Sequence, residues 1–168
     1  MRAIGDRWGE ANTLTILGAA YYSLNEYQKT IETFTLAVAH WMEVEDGLRG
    51  QALAIGYIAG AQIVLGEWEK VIESLKLALP IYQALGDRRG EAGTFDGIGV
   101  HYERLGDLEK ALEYHHRALP LKRESGDRQS LATTLSNIGS AYSASGERQK
   151  AIEFYQQALA LSRAAGGR

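Results

Sequence analysis

The chain has 168 residues, of which 45% are hydrophobic and 23% charged, a balance typical of a folded globular protein and not of a disordered segment. It contains no cysteine, which excludes disulfides and thiolate metal sites, and its net charge of −3 argues against a nucleic-acid-binding surface. No run approaches the roughly 20 consecutive apolar residues of a membrane span, and the N-terminal residues lack the features of a signal peptide. We therefore expect a cytoplasmic protein without membrane contact.

Related phrases recur along the chain at a nearly constant distance. The first covers 24–32, and its copies cover 65–73, 105–113 and 145–153, so the steps are 41, 40 and 40 residues. One extra residue near Glu45–Leu48 accounts for the longer first step. A period between about 20 and 50 residues indicates stacked supersecondary units. We predict one domain, 1–168, with repeats at 6–45, 46–85, 86–125 and 126–165.

Each repeat contains two apolar stripes at helical spacing. In the third repeat, Phe95 and Ile98 lie on one face of a first helix, and Leu112 lies on the stripe of a second. Between them, Gly106 suits the left-handed residue that ends a helix, and Asp107 suits the N-cap of the next. The sequence thus predicts an all-α fold of eight helices, arranged as four helical hairpins in a right-handed α-solenoid.

Two prolines fall in the same register of the second helices. Pro80 and Pro120 each precede a glycine-containing linker by about a turn and a half. Because proline removes a backbone hydrogen bond and clashes with the preceding turn, we predict a bend or a locally unwound final turn in these two helices.

The repeats resemble the tetratricopeptide repeat over essentially the whole chain. The fourth repeat carries this pattern best, with Leu135, Ile138, Gly139, Tyr142, Gly146, Ala151, Tyr155 and Ala158. The 40-residue spacing is similar to the longer subclass found in Leu-Gly-Asn-repeat scaffolds, kinesin light chains and bacterial regulators. Departures from the family pattern are Gln62 in a tyrosine position, Thr30 in an alanine position and His115 in an aromatic position. We therefore expect the second repeat to be the least regular.

Side chains that could support catalysis or bind metal are few. The histidines are His40, His101, His115 and His116, and the last two are helical neighbours whose side chains point about 100° apart, so they cannot share an ion. In the family, the positions of His101 and His115 face the hairpin interior. We predict no enzyme activity, no metal and no cofactor.

The resemblance implies that function lies on the concave surface, which the first helices line in this family. The chaperone-binding members place Lys, Arg and Asn there to clamp acidic tails, and this chain lacks that set. The resemblance instead implies a groove for a protein or peptide partner, lined by Tyr22, Leu53, Ile63, Val64, Asp96, Val100, Glu103, Arg104 and Ser140. Alternatively, Leu53, Ile63 and Val64 pack against neighbouring hairpins.

A second class of function is self-association. The fourth hairpin has no following helix in this sequence, and the chain reads as an excised part of a longer array. Ile152, Tyr155 and Leu159 are then the apolar side chains expected to be exposed on its second helix. They could stack copies end to end or pair them as a two-fold dimer.

Overall fold

Eight helices follow one another along residues 6–166, the part of the chain that the computed structural model describes. No strand occurs in this range, which confirms the all-α prediction. The helices are α1 (Arg7–Ser23), α2 (Tyr27–Met42), α3 (Leu48–Leu65), α4 (Trp68–Ala84), α5 (Arg88–Arg104), α6 (Leu108–Glu124), α7 (Arg128–Ala144) and α8 (Arg148–Gly166).

The helices form two compact units. Unit 1, Met1–Gly86, contains the hairpins α1–α2 and α3–α4, and unit 2, Asp87–Arg168, contains α5–α6 and α7–α8. In each unit, the first helix of the second hairpin also packs against both helices of the first hairpin. Each predicted repeat contains one hairpin. The single domain proposed from the sequence stays a prediction.

Every turn between successive helices contains one residue with a positive φ. Five of these residues are glycines, and Gly106 has φ 81°, as predicted from its place in the sequence. The other two are Asn25 (φ 60°) and Asp46 (φ 61°). Glycine is favoured in this conformation because it has no Cβ, and Asn and Asp tolerate it better than most other residues.

Aspartates cap four of the helices. The Asp107 carboxylate accepts a hydrogen bond from the backbone N–H of Lys110 (3.1 Å), which confirms its predicted capping role. Asp6, Asp87 and Asp127 make the same bond three residues ahead. The second helices of unit 1 begin after Glu26 and Glu67, whose side chains make no such bond. Helix α6 of unit 2 therefore starts differently from α2 and α4 of unit 1.

The extra residue of the first repeat lies in the turn that follows α2. Three residues, 43–45, separate α2 from the positive-φ Asp46, whereas only Leu85 separates α4 from Gly86. The longer turn, 43–47, thus overlaps the predicted position of the insertion. At the end of this turn, Gly47 lies against the carbonyl oxygen of Trp41, where a Cβ would come within 1.9 Å.

In three of the hairpins, an aromatic ring of the second helix packs on a glycine of the first helix. A Cβ added to Gly18 would come within 2.7 Å of the Phe34 ring, and one added to Gly99 would come equally close to the His115 ring. Gly139 lies under Tyr155 in the same way, at 2.8 Å. The small residues of the family pattern are thus required by close approach between the two helices of a hairpin.

Helices α4 and α6 run without a break past Pro80 and Pro120, ending at Ala84 and Glu124. The predicted unwinding of a final turn is therefore not found. The bend stays a prediction.

Helix α3 is the most apolar helix of the chain. Its 18 residues have a mean hydropathy of 1.2, so by length and composition alone it could cross a membrane, as no other helix among the described residues could. In unit 1 it is a core helix, with Ala54, Ile55, Ala59 and Ala61 buried. Core helices of water-soluble folds also meet such a criterion.

Candidate functional site

A pocket of about 370 Å³ opens on the face of unit 1 where α1 and α3 lie side by side. We call it the tyrosine pocket, and it is lined by Tyr22, Ala52, Leu53, Gly56, Tyr57, Gly60 and Tyr82. Tyr22 and Leu53 are residues that the family resemblance assigned to the groove. Tyr57 and Tyr82 were missed, because they lie outside the lining register applied to the first helices.

Stacked rings hold the wall of the tyrosine pocket in place. Tyr57 is stacked on the buried Phe34 ring at 4.6 Å between centroids, and Tyr22 meets Tyr57 edge-on at 5.3 Å. A Cβ on Gly60 would lie 3.3 Å from the Tyr22 hydroxyl, whereas one on Gly56 would meet nothing within 4 Å. The glycines thus leave the floor open while the rings fix the wall.

The other groove residues predicted in unit 1 extend the apolar surface along α3. Leu53, Ile63 and Val64 are 50%, 42% and 55% exposed. Leu53 and Val64 share one face of α3, since eleven residues make about three turns, whereas Ile63 points about 100° away from Val64. The three side chains are thus not buried against neighbouring hairpins.

In unit 2, Asp96 belongs to a largely buried polar network. Its carboxylate lies 3.0 Å from Nδ1 of His115 and accepts a hydrogen bond from the Thr134 hydroxyl (2.5 Å). Nζ of Lys122 lies 4.0 Å away and donates to the hydroxyl of Ser130 (2.6 Å). Asp96 therefore joins α5, α6 and α7 within unit 2.

The equivalent positions of unit 1 hold an apolar contact instead. Trp41, in the position of Lys122, packs against Gly50, where a Cβ would come within 2.2 Å of its ring. Its indole N–H donates to the hydroxyl of Thr15 (2.9 Å), which stands in the position of Asp96. The same backbone positions are thus stabilised by different chemistry in the two units.

The remaining groove residues predicted in unit 2 are partly engaged with one another. The Ser140 hydroxyl donates to the carboxylate of Glu103 (2.6 Å), so α7 and α5 are linked there as well. Val100 is half-buried, and Arg104 is exposed. The apolar, open surface of the predicted groove is therefore found in unit 1.

The residues predicted for self-association lie exposed on α8. Ile152, Tyr155 and Leu159 occupy positions i, i+3 and i+7 and are each between two-fifths and one-half exposed. Tyr155 also covers Gly139 with its ring. Its other face is the one available to a partner.

The histidines lie where packing dominates. His115 is fully buried, and His101 is nearly so, in agreement with the interior position that the resemblance implied. Burial, and then the nearby Arg104 guanidinium, lower the pKa of His101. Burial also lowers the pKa of His116, with His115 adding to the effect. Among the described residues, no cluster of three or more His, Cys, Asp or Glu could hold a metal ion.

Residues 90–164 match the model of the tetratricopeptide repeat family, so this part of the chain consists of tetratricopeptide repeats. The family prediction is confirmed. No sequence among curated proteins matches the chain.

Solved structures extend the likeness to nearly the whole chain. The apo form of RapI is 18% identical with a TM-score of 0.85, over 94% of this chain and 44% of RapI. BtubC (BKLC) from P. vanneervenii is 24% identical with a TM-score of 0.83, over all of this chain and 68% of BtubC. A Rap protein complexed with Competence and Sporulation Factor is 21% identical with a TM-score of 0.72, over 95% of this chain and 44% of the Rap protein.

These likenesses show the fold, a helical repeat solenoid of the tetratricopeptide type. The chain spans less than half the length of the two Rap proteins. Such a fold is characteristically a scaffold for protein interaction. The absence of enzyme activity stays a prediction.

Proposed function

We propose that the chain binds an extended or helical segment of a protein partner on the α1–α3 face of unit 1. One apolar side chain of the segment would enter the tyrosine pocket. The observation that carries this proposal is the pocket itself, in which three tyrosines surround a floor of two glycines.

The surroundings of the tyrosine pocket support a protein ligand. Leu53, Ile63 and Val64 are half-exposed apolar side chains on the same helix as the pocket floor, and aromatic and aliphatic anchors characteristically carry the affinity of helix-in-groove contacts. Tyrosines contribute large contact area at low entropic cost because their rings have few rotatable bonds. The Rap protein of the same fold, which was solved in complex with Competence and Sporulation Factor, is one such protein with a bound partner.

The test is selection of binding peptides from a displayed random library, followed by fluorescence anisotropy with each selected peptide. We expect Ile63→Asp and Tyr22→Ala to weaken binding by about tenfold or more, since each removes an apolar anchor contact. Leu36→Asp on α2 is the matched control, because Leu36 is 56% exposed and lies outside the pocket.

Circular dichroism of each variant separates loss of binding from loss of fold. Selected peptides that bind both variants with unchanged affinity would place the binding site elsewhere. If Ile63→Asp unfolds while Leu36→Asp does not, Ile63 has a packing role and is not a binding residue.

Self-association through α8 is the second candidate, and the exposed face of Ile152, Tyr155 and Leu159 favours it. Sedimentation at about 100 µM would detect even a contact with a Kd near 1 mM. We expect the double variant Ile152→Glu with Leu159→Glu to be monomeric if copies of the wild-type chain associate. A strict monomer in the wild type removes this candidate.

A further inference from the structure

A second cleft, of about 520 Å³, lies between α2 and α4 of unit 1, with α3 as its floor. The walls of this α2–α4 cleft are mainly aliphatic, and its lining includes Ile31, Val38, Gln62, Ser74, Leu77 and Ile81. None of these residues lines the tyrosine pocket.

Comparison of the repeats explains why the α2–α4 cleft exists. In repeat 4, Tyr142 of the first helix is stacked on Phe154 of the second, with 5.5 Å between ring centroids. Repeat 3 has a matching pair of stacked tyrosines at 5.6 Å. Repeat 2 has Gln62 and Ser74 at these two positions, joined by a buried hydrogen bond of 2.8 Å. Two aromatic rings are thus replaced by two small polar groups.

The residues around the missing rings are largely retained. In unit 2, Phe154 packs in a cluster with Leu112 and Leu161. Their counterparts in the repeat register, Ile31 and Ile81, line the cleft of unit 1. The aliphatic walls that enclose a ring in unit 2 are therefore present in unit 1.

One hydrogen-bond donor lies in the floor of the α2–α4 cleft. Gln62 is only 6% exposed, and its Oε1 accepts the hydrogen bond from Ser74. Its amide Nε2 has no protein acceptor among residues 6–166. Because Gln62 lines the cleft, a ligand that brings an acceptor can pair with this donor there.

We propose that the α2–α4 cleft binds a small aromatic molecule with a hydrogen-bond acceptor attached to its ring, such as an aryl hydroxyl or aryl carbonyl. The ring takes the place that Phe154 occupies in unit 2, and the acceptor pairs with Nε2 of Gln62. The volume is within the range of about 300–1,000 Å³ that small-molecule pockets have. Apolar cavities left by a missing core side chain are known to bind aromatic rings.

Isothermal titration calorimetry with p-cresol tests the proposal, and two related compounds are its controls. We expect a Kd for p-cresol of about 1 mM or lower. Toluene, which lacks the acceptor, should bind about tenfold more weakly. The saturated analogue 4-methylcyclohexanol, which keeps the hydroxyl but has no flat ring, should also bind about tenfold more weakly.

Two matched variants locate the site. The double variant Gln62→Tyr with Ser74→Phe rebuilds the ring pair of repeat 4 and should abolish p-cresol binding while the helical circular dichroism is kept. If that variant does not fold, Ser74→Leu blocks the same space and has the same expected loss. The converse variant, Tyr142→Gln with Phe154→Ser, should raise the stoichiometry from one p-cresol to two.

The proposal is overturned if p-cresol does not bind, if the filled variant still binds it, or if 4-methylcyclohexanol binds equally well. It does not depend on the peptide-binding proposal, since the two sites share no residue. Variants of the tyrosine pocket should leave p-cresol binding unchanged.

Discussion

Unit 1 and unit 2 stabilise the ends of their first hairpins by different chemistry at the same repeat positions. In unit 1, Trp41 packs on Gly50 and donates to Thr15. In unit 2, the counterpart of Trp41 is Lys122, which lies beside Asp96. The apolar contact depends on shape, whereas the polar network depends on every partner being present, because a buried charge without its partner is costly. The same backbone thus tolerates either set of contacts. A variant that combines parts of the two sets should be less stable than either.

The largest expected effect is a difference in stability loss between variants of the polar network and of the apolar contact. Asp96→Ala should lower the free energy of unfolding by about 3–5 kcal/mol, since His115, Thr134 and Lys122 lose a shared, largely buried partner. Thr15→Ala should cost only about 1–2 kcal/mol, the loss of one hydrogen bond. Urea denaturation of both variants measures the difference. Equal losses would show that the Asp96 network adds no more than a single hydrogen bond.

The same comparison can be made by introducing the Trp, Thr and Gly of unit 1 at the equivalent positions of unit 2. Lys122→Trp alone should be strongly destabilising, because Asp96 stays buried and Ser130 occupies the position of a glycine. Adding Asp96→Thr and Ser130→Gly should recover about 1–3 kcal/mol, the coupling expected between residues in contact. Denaturant midpoints of the single and triple variants give this recovery. Strictly additive effects would contradict the view that the three positions act together.

The ring-on-glycine contacts of the first and the fourth hairpin should also differ. Gly18→Ala should cost about 1–3 kcal/mol, because Phe34 is fully buried and cannot move aside. Gly139→Ala should change the stability by less than about 1 kcal/mol, since the half-exposed Tyr155 can shift and alanine favours the helix. Thermal melts of the two alanine variants provide the measurement. A large loss in Gly139→Ala would mean that Tyr155 is fixed in place.

The smallest expected effect is on the dependence of stability on acidic pH. The Lys110 ammonium, and then the Lys110 backbone N–H, donate hydrogen bonds to the Asp107 carboxylate and lower its pKa, and the backbone N–H of Ser130 lowers the pKa of Asp127. The stability that the ionised Asp107 and Asp127 carboxylates contribute is therefore present above the unfolded pKa of about 3.9. It is lost as the pH falls through the lower pKa of the folded state. Asp107→Asn with Asp127→Asn should flatten the acid dependence of the melting temperature.

Much of the fold follows from local rules that are visible in the sequence. The 40-residue register locates every hairpin, and Gly106 and Asp107 mark a helix end and a helix start because backbone conformation and capping depend on adjacent residues. The family pattern also includes Gly139, which lies under the Tyr155 ring. These features depend on at most a few neighbouring residues or on a fixed repeat.

The details of the candidate sites could not be predicted in the same way. Asp96 and Lys122 are 26 residues apart, and their approach depends on the rotation of two helices about their axes. Gln62 is a visible departure from the pattern, but the α2–α4 cleft needs Ser74 as well, and no family position drew attention to it. The tyrosine pocket likewise combines residues from α1, α3 and α4.

All three tryptophans of the chain, Trp8, Trp41 and Trp68, belong to unit 1. Trp41 is nearly buried and meets Trp8 edge-on at 6.3 Å, so its indole should pass from an apolar to an aqueous environment when unit 1 unfolds. Intrinsic tryptophan fluorescence of the unmodified chain should thus follow unit 1 alone, whereas far-ultraviolet dichroism follows the helices of both units. Whether the two signals change at one denaturant concentration or at two would reveal, without any label, whether the halves of this chain unfold cooperatively.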